Sequence, residues 1–284
     1  MRVRAFVPYH ITGFWFPVET GDPLTTGSYG AGIVLESGVV VEFPSSVGIE
    51  LDPTSRLCME ILGVDPSVSR YMGIYERYRV GEGYGASAAR SLAIALVCTA
   101  LRGLSTCRAG KAAHIAEVLM GTGYADVIAE FVGGGLVYRV KPGAPCIGIA
   151  ESIPLPRLAI VTSPLGYMTT QEMHRVYGEA IRIEGMKAWN RFIEKPSLET
   201  FLEIAYSFSK AVGFLTTDLD EKVREALSKH LSKGMVLGYY VKKRVLTVVL
   251  EPSAVEDVVA ALRVMGFETR VDWVGRRGIE VVIE

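Results

Sequence analysis

Apolar positions along the chain fall into two kinds of run. Short β-branched stretches bounded by glycine or proline predict strands. Residues 3–7 form one, and AGIVLE and VVVEF, residues 31–36 and 39–43, read as a β-hairpin turning at Ser37-Gly38. A short helix is expected from about Ser55 to Leu62, and YERYRV, residues 75–80, as a strand entering the glycine-rich stretch GEGYGASAAR at 81–90. The segment SAARSLAIALVCTALRG is apolar on nearly every side after Arg90, the pattern of a helix buried all round. GKAAHIAEVLMG predicts a second helix closed by Gly121 and Gly123, and GGGLVYRV, residues 133–140, returns as a strand.

At 284 residues the chain is long for a single core, and two prolines in SIPLPR suggest where it crosses between domains, 1–155 and 156–284. Beyond the crossing the pattern predicts a strand at RLAIVTS and a helix from Thr170. Further helices follow over Ser197–Val212 and Asp218–Leu231, then strands at 235–241 and 245–250. A helix over Ser253–Met265 and strands near 269–274 and 278–283 complete it. Strands and helices alternating over an antiparallel hairpin predict an α+β chain whose second domain is a ferredoxin-like sandwich.

Composition narrows the function classes. Thirty basic residues face 31 acidic ones with no basic stripe, which argues against nucleic-acid binding. Lys242, Lys243 and Arg244, like Arg276 and Arg277, read as exposed charges on hairpin turns. No signal-peptide core and no apolar run of bilayer length occurs, so a cytoplasmic location is expected. Cys58, Cys98, Cys107 and Cys146 form no CxxC pair and read as buried free thiols. Gln171 and Asn190 are the chain's only side-chain amides, a depletion that points to a thermophilic source. A homodimer is the default expectation, since two-fold pairs dominate among homo-oligomers.

Two stretches carry chemistry. Gly81, Gly83 and Gly85 let backbone N–H groups approach a ligand closely, and Ala86 to Ala89 then open a helix whose N-terminus favours an anion. Ser87, on the first turn, can cap that helix or ligate Mg²⁺. Alone, such a corner is more often only a tight packing turn, and no GxxxxGK[ST] occurs. In AHIAEVLMGTGYADV, residues 113–127, His114 and Glu117 share a helical face, and Asp126 follows a glycine-broken turn that can fold back toward it. Singly, Glu117 reads as an exposed helix carboxylate and Asp126 as a turn residue. Together with the glycine loop they supply what phosphoryl transfer needs: a carboxylate for Mg²⁺ and another to orient or deprotonate the attacking hydroxyl.

The order of these parts resembles the GHMP kinase superfamily over essentially the whole chain. More narrowly, PYHITGFWFP at 8–17, GSYGAG at 27–32, AHIAEVLMGTGYADV and GGGLVYR resemble the archaeal pantoate kinases. The resemblance implies a two-domain GHMP kinase fold, the first domain like the second domain of ribosomal protein S5 and the second ferredoxin-like. It implies ATP and Mg²⁺ as cofactors and phosphorylation of the 4-hydroxyl of pantoate in coenzyme A biosynthesis. The phosphate loop falls on Gly81, Gly83, Tyr84, Gly85, Ala86, Ser87 and Ala88, the metal positions on Ser87 and Glu117, and the catalytic aspartate on Asp126. Pantoate contacts fall on Ser28, His114, Arg139 and Thr170. A small carboxylate with two hydroxyls and two methyls suits one cation, neutral donors and an apolar wall. The superfamily's lysine near the N-terminus is missing from PYHITGF, and SKGMVLGYY at 232–240 keeps only Gly234 and Gly238 of a third glycine motif. Other GHMP substrates, mevalonate, homoserine or shikimate, and a non-catalytic S5-like module stand as the alternatives.

Overall fold

A computed structural model describes residues 1–284. The first sheet begins with two long antiparallel strands, β1 (Val3–Val18) and β2 (Gly27–Phe43). No hairpin forms at Ser37-Gly38, contrary to the sequence pattern: β2 runs straight through. Gly38 lies opposite Pro8, whose ring offers no N–H to the ladder, and the register shifts between Pro8 and His10. The two residues mark a bulge, and Ser37 hydrogen-bonds Asp272 from the other half of the chain.

Helix α1 (Pro53–Ile61) starts on an Asp52 cap, and the short strand β3 (Gly73–Tyr75) pairs with β2. The strand expected over 75–80 ends at Tyr75. The Tyr9 hydroxyl accepts from the N–H groups of Arg77 and Tyr78 at 3.0 and 3.2 Å, which satisfies them outside any ladder. Helix α2 (Ala86–Leu101) buries twelve of its sixteen residues, as its all-round apolar pattern requires. It packs on α3 (Thr106–Met120), which Gly121 closes in the left-handed conformation. The two-turn helix α4 (Asp126–Val132) leads into β4 (Leu136–Lys141) and β5 (Ile149–Ile153).

The second sheet contains β6 (Ala159–Pro164), β7 (Val236–Lys242), β8 (Val245–Leu250) and β9 (Arg270–Trp273), in the order β7-β8-β6-β9, all antiparallel. Between β6 and β7 lie α5 (Thr170–Glu194), α6 (Leu198–Val212) and α7 (Thr217–Ser232), and α8 (Val255–Val264) joins β8 to β9. This is a split βαββαβ order. The last strand, β10 (Glu280–Ile283), was expected in the second half but pairs with β1, so the first sheet reads β10-β1-β2-β4-β5. Helices α2, α5 and α6 all pack against β1, which is why that strand is buried along most of its length rather than alternately.

Cys107 and Cys146 are joined in a disulfide, correcting the reading of four free thiols; Cys58 and Cys98 are free and buried. The bond ties the start of α3 to the loop between β4 and β5, a contact between segments 39 residues apart that local sequence does not announce. No helix is long and apolar enough to cross a membrane.

Candidate active site

Two cavities open side by side between the sheets. The first, about 190 Å³, is lined by Gly81, Gly83, Gly85, Ala86, Ser87 and Ala88, and across from them by Glu117. Gly85 caps α2 at φ +74°, a conformation that favours glycine. A methyl group there would also strike the Glu130 carboxyl. No side chain caps the α2 N-terminus, so its first amides face the cavity free. Thr169, Thr170 and Gln171, the start of the 25-residue α5, line the same space. Two helix N-termini therefore converge on one cavity, and their dipoles sum to a positive potential. Tyr84 is the one expected loop residue whose side chain does not reach it. Its ring stacks on Tyr78 at 3.8 Å, and its hydroxyl meets Thr162 Oγ1 at 2.8 Å.

Ser87 donates its hydroxyl to Glu117 Oε1 at 2.5 Å. Burial pushes the Glu117 carboxyl up to about 7, with Asp126 adding repulsion against the hydrogen bonds from Ser87 and Thr122. A half-buried hydroxyl beside a buried carboxyl that forms no ion pair fits a hard divalent ion. Mg²⁺ characteristically takes one or two carboxylates and leaves its remaining positions to phosphate and water.

The second cavity, about 50 Å³, admits only a small molecule. Ser28, Arg139, Trp15, Met173 and His174 line it. Arg139 is buried; its Nε donates to the Ser28 carbonyl at 3.3 Å, while Nη1 is buried without a partner. Burial lowers this guanidinium to about 10, which leaves it charged near neutrality. His114 does not line either cavity. It is buried, its Nε2–H donating to the Thr26 carbonyl at 2.8 Å and its Nδ1 unpartnered. Burial lowers its pKa, so the ring is neutral.

The cavities share Thr122, Asp126, Thr170, Lys242 and Lys243. Asp126 is the first residue of α4, and its Oδ1 accepts from His10 Nδ1 at 3.0 Å and from the Thr12 hydroxyl at 3.2 Å. Register shifts on either side of His10–Thr12 aim these two side chains, two residues apart on one strand face, at the same carboxylate. Gly32 across the ladder leaves room for the imidazole, which burial lowers to about 4. Lys242 Nζ lies 3.6 Å from Asp126 Oδ1. Burial works to raise the Asp126 carboxyl, but the charge of Lys242 and the His10 hydrogen bond override it, and the net shift is well below the ordinary carboxylate range. Asp126 retains 24% of its side-chain surface, so one side stays open to the cavities.

Lys242 and Lys243 are not the exposed turn charges that the sequence pattern suggests. Lys242 is buried, and Lys243 Nζ donates to the Thr170 hydroxyl at 2.8 Å. Burial and the neighbouring Lys242 lower Lys243 to about 8. The β7–β8 turn carries both across to the first sheet. A lysine pair on a turn looks solvated until the opposite wall is known, and so their role was not legible. His10 and Thr12 had a signal, their place in PYHITGF, but nothing local names Asp126 as their partner.

An anion cradle, a carboxyl–hydroxyl pair and a charged junction on this α+β frame define a small-molecule phosphotransferase of the GHMP type. The mevalonate-3-kinase of Thermoplasma acidophilum shares the fold, with a TM-score of 0.65 over 99% of this chain and 98% of its own at 11% identity. A solved phosphotransferase related to the coenzyme A biosynthesis pathway superposes with a TM-score of 0.84 over 99% of each chain at 26% identity. The pantoate kinase of Thermococcus kodakarensis is 33% identical over 258 residues, 84% of this chain and 86% of its own. The chain belongs to the pantoate kinase family. No family model matches it.

Proposed function

We propose that the chain transfers the γ-phosphoryl group of ATP to the 4-hydroxyl of pantoate. The observation that carries this is the shared wall: an anion cradle and a carboxylate-sized pocket with a buried arginine meet at Asp126, Lys242 and Lys243.

In this reading the amides of Gly83 to Ala88 and the start of α5 hold the triphosphate. Ser87 and Glu117 would hold Mg²⁺, which when bound neutralises charge on the phosphates. Arg139 and Ser28 take the pantoate carboxylate, the guanidinium using the Nη1 that has no partner within the chain. Trp15 and Met173 face the two methyls. His114 acts as a positioning residue that fixes Thr26 and, through it, the turn into Ser28. Thr170 and Thr122 border the path between the two sites.

The physics also divides the roles of Asp126. A carboxylate held far below its ordinary range is a weak base, so it orients the hydroxyl and takes its proton only late, as the new P–O bond forms. That suits a loose transition state, in which the nucleophile needs little activation. Lys242 and Lys243 supply the charge that stabilises the oxygens of the moving phosphoryl group. The lysine absent from the N-terminal strand is replaced here from the second sheet. Two units, S5-like and ferredoxin-like, meeting near residue 156 complete the reading.

Purified protein with Mg²⁺-ATP and a panel of pantoate, mevalonate, homoserine and shikimate, scored by ADP release, tests it. Pantoate is expected to give the highest kcat/KM. Preference for another acceptor, or ATP hydrolysis indifferent to all of them, would overturn it.

A further inference from the structure

By sequence the glycine loop belongs to the first half of the chain, and its backbone hydrogen-bonds there, His10 N–H donating to the Tyr84 carbonyl at 3.1 Å. Its side chains and those just before it reach the other way. Arg77 Nη2 donates to the Val271 carbonyl of β9 at 2.9 Å, and the Tyr78 hydroxyl to Asp272 Oδ2 at 3.0 Å. Arg270, on the same strand, grips Glu82 with both terminal nitrogens, Nη1 on Oε2 at 2.9 Å and Nη2 on Oε1 at 3.2 Å. Such a fork fixes geometry as well as charge. Arg270 and Glu82 keep only 25% and 18% of their side-chain surface, so the pair is shielded from the screening that weakens exposed ion pairs. Tyr84 meets Thr162 of β6, and its ring lies parallel to that of Tyr78, both buried.

The loop also touches the lysine-bearing turn. A methyl group on Gly83 would stand 3.2 Å from Val245 Cγ2 and 3.6 Å from the Lys242 carbonyl, so the loop backbone lies directly against the β7–β8 corner. Strands β6 to β9 form one sheet. A loop keyed to β6 and β9 is therefore carried with the turn between β7 and β8, and the gap between the anion cradle and the two lysines is set within a single body. Neither Glu82 nor Arg270 lines the two site cavities.

We propose that Arg270, acting through Glu82, is a positioning residue of the phosphoryl-donor site: it fastens the glycine loop to the second sheet and so sets the reach of Lys242 and Lys243 to the phosphates that the loop holds. This rests on the reading of the loop as the nucleotide cradle. A small misplacement of the donor relative to the charges that stabilise it is costly, which gives a residue outside the site a hold on the rate.

Isothermal titration with Mg²⁺-ATP and steady-state kinetics in ATP and pantoate, with circular dichroism as the check on folding, test this. Arg270→Met should raise KM for ATP by roughly tenfold and lower kcat by roughly tenfold, with KM for pantoate within about twofold of wild type. Arg270→Lys, which keeps the charge without the fork, should fall between. Glu82→Gln, a near-isosteric change that serves equally should Arg270→Met not fold, should shift both parameters the same way by roughly threefold to fivefold. Glu82→Gln with Arg270→Met should be no worse than Arg270→Met alone, because both act through one contact. A wild type that binds Mg²⁺-ATP while the variants lose thermal stability and keep their ATP kinetics would assign the pair to the fold alone and overturn the proposal. So would an equal loss for pantoate, or a double variant whose effects add. A wild type that binds no Mg²⁺-ATP would overturn the nucleotide reading itself, and the proposal with it.

Discussion

His10 and Asp126, 116 residues apart in sequence, meet at 3.0 Å, and Lys242 reaches the same carboxylate oxygen from the other sheet at 3.6 Å. The junction between the two cavities is thus assembled from three distant segments. Its charge balance depends on the lysine.

Replacing Lys242 by Met removes the main opposing charge from Asp126. The folded-state pKa of that carboxyl should then rise toward the ordinary range. A depressed carboxylate stays ionised as pH falls, so the wild-type enzyme keeps its Asp126 charged well into acid, whereas K242M should lose activity at higher pH. We expect kcat to fall by roughly 100-fold at neutral pH and the acid limb of the kcat profile to move upward. An acid limb that stays in place would separate Lys242 from Asp126.

Glu117 gives the opposite sign. Its folded pKa of about 7 lies above the ordinary carboxylate value, so between the two the folded chain holds a proton that the unfolded chain has released. Its contribution to stability falls as pH rises from about 4 to 7 and stays lost above that. The penalty at pH 8 is on the order of 3 kcal/mol. Glu117→Gln should flatten the pH dependence of Tm in the metal-free protein and raise Tm at pH 8, while Mg²⁺-ATP binding weakens. Calorimetric scans at pH 5 and 8 check both.

Arg139→Lys keeps a positive charge but loses the planar fork, and its shorter donor set leaves the Ser28 carbonyl unpaired. We expect KM for pantoate to rise by roughly 100-fold with ATP affinity nearly unchanged. Isothermal titration with each ligand separates the two. An equal loss for both would mean that Arg139 serves the fold rather than the acceptor.

The Cys107–Cys146 bond closes a loop with a sequence separation of 39. Chain-entropy arguments give such a link about 3 to 4 kcal/mol of stabilisation. Cys107→Ser with Cys146→Ser should therefore lower Tm clearly without abolishing turnover at moderate temperature, because neither cysteine lines either of the two site cavities. An unchanged Tm would show that the unfolded chain gains little freedom when the link is cut.

Most of the secondary structure was legible because periodicity is a local property. The buried helix after Arg90, the helices of the second half and the strands 235–241 and 245–250 all follow their apolar patterns. The failures were non-local. Ser37-Gly38 reads as a turn until the length of the facing strand is known, and residues 278–283 carry no mark of the partner they choose. That the glycine loop, Glu117 and Asp126 line one cavity was foreshadowed by residue types and spacing, although singly Glu117 read as an exposed carboxylate and Asp126 as a turn residue. Lys242 and Lys243 were not legible, since a charge on a turn acquires a role only from the wall it faces, and Cys107 and Cys146 are neighbours only after β4 has paired with β2.

One topological detail bears on how the lysines keep their aim. The chain leaves the first sheet from the strand at one edge, β5, and re-enters it as β10 at the other. The intervening half is thereby strapped at both margins, like a bridge resting on two piers instead of a cantilever. Swinging of one half against the other must strain one end or the other, so the lysine-bearing turn is held near its target before any substrate arrives.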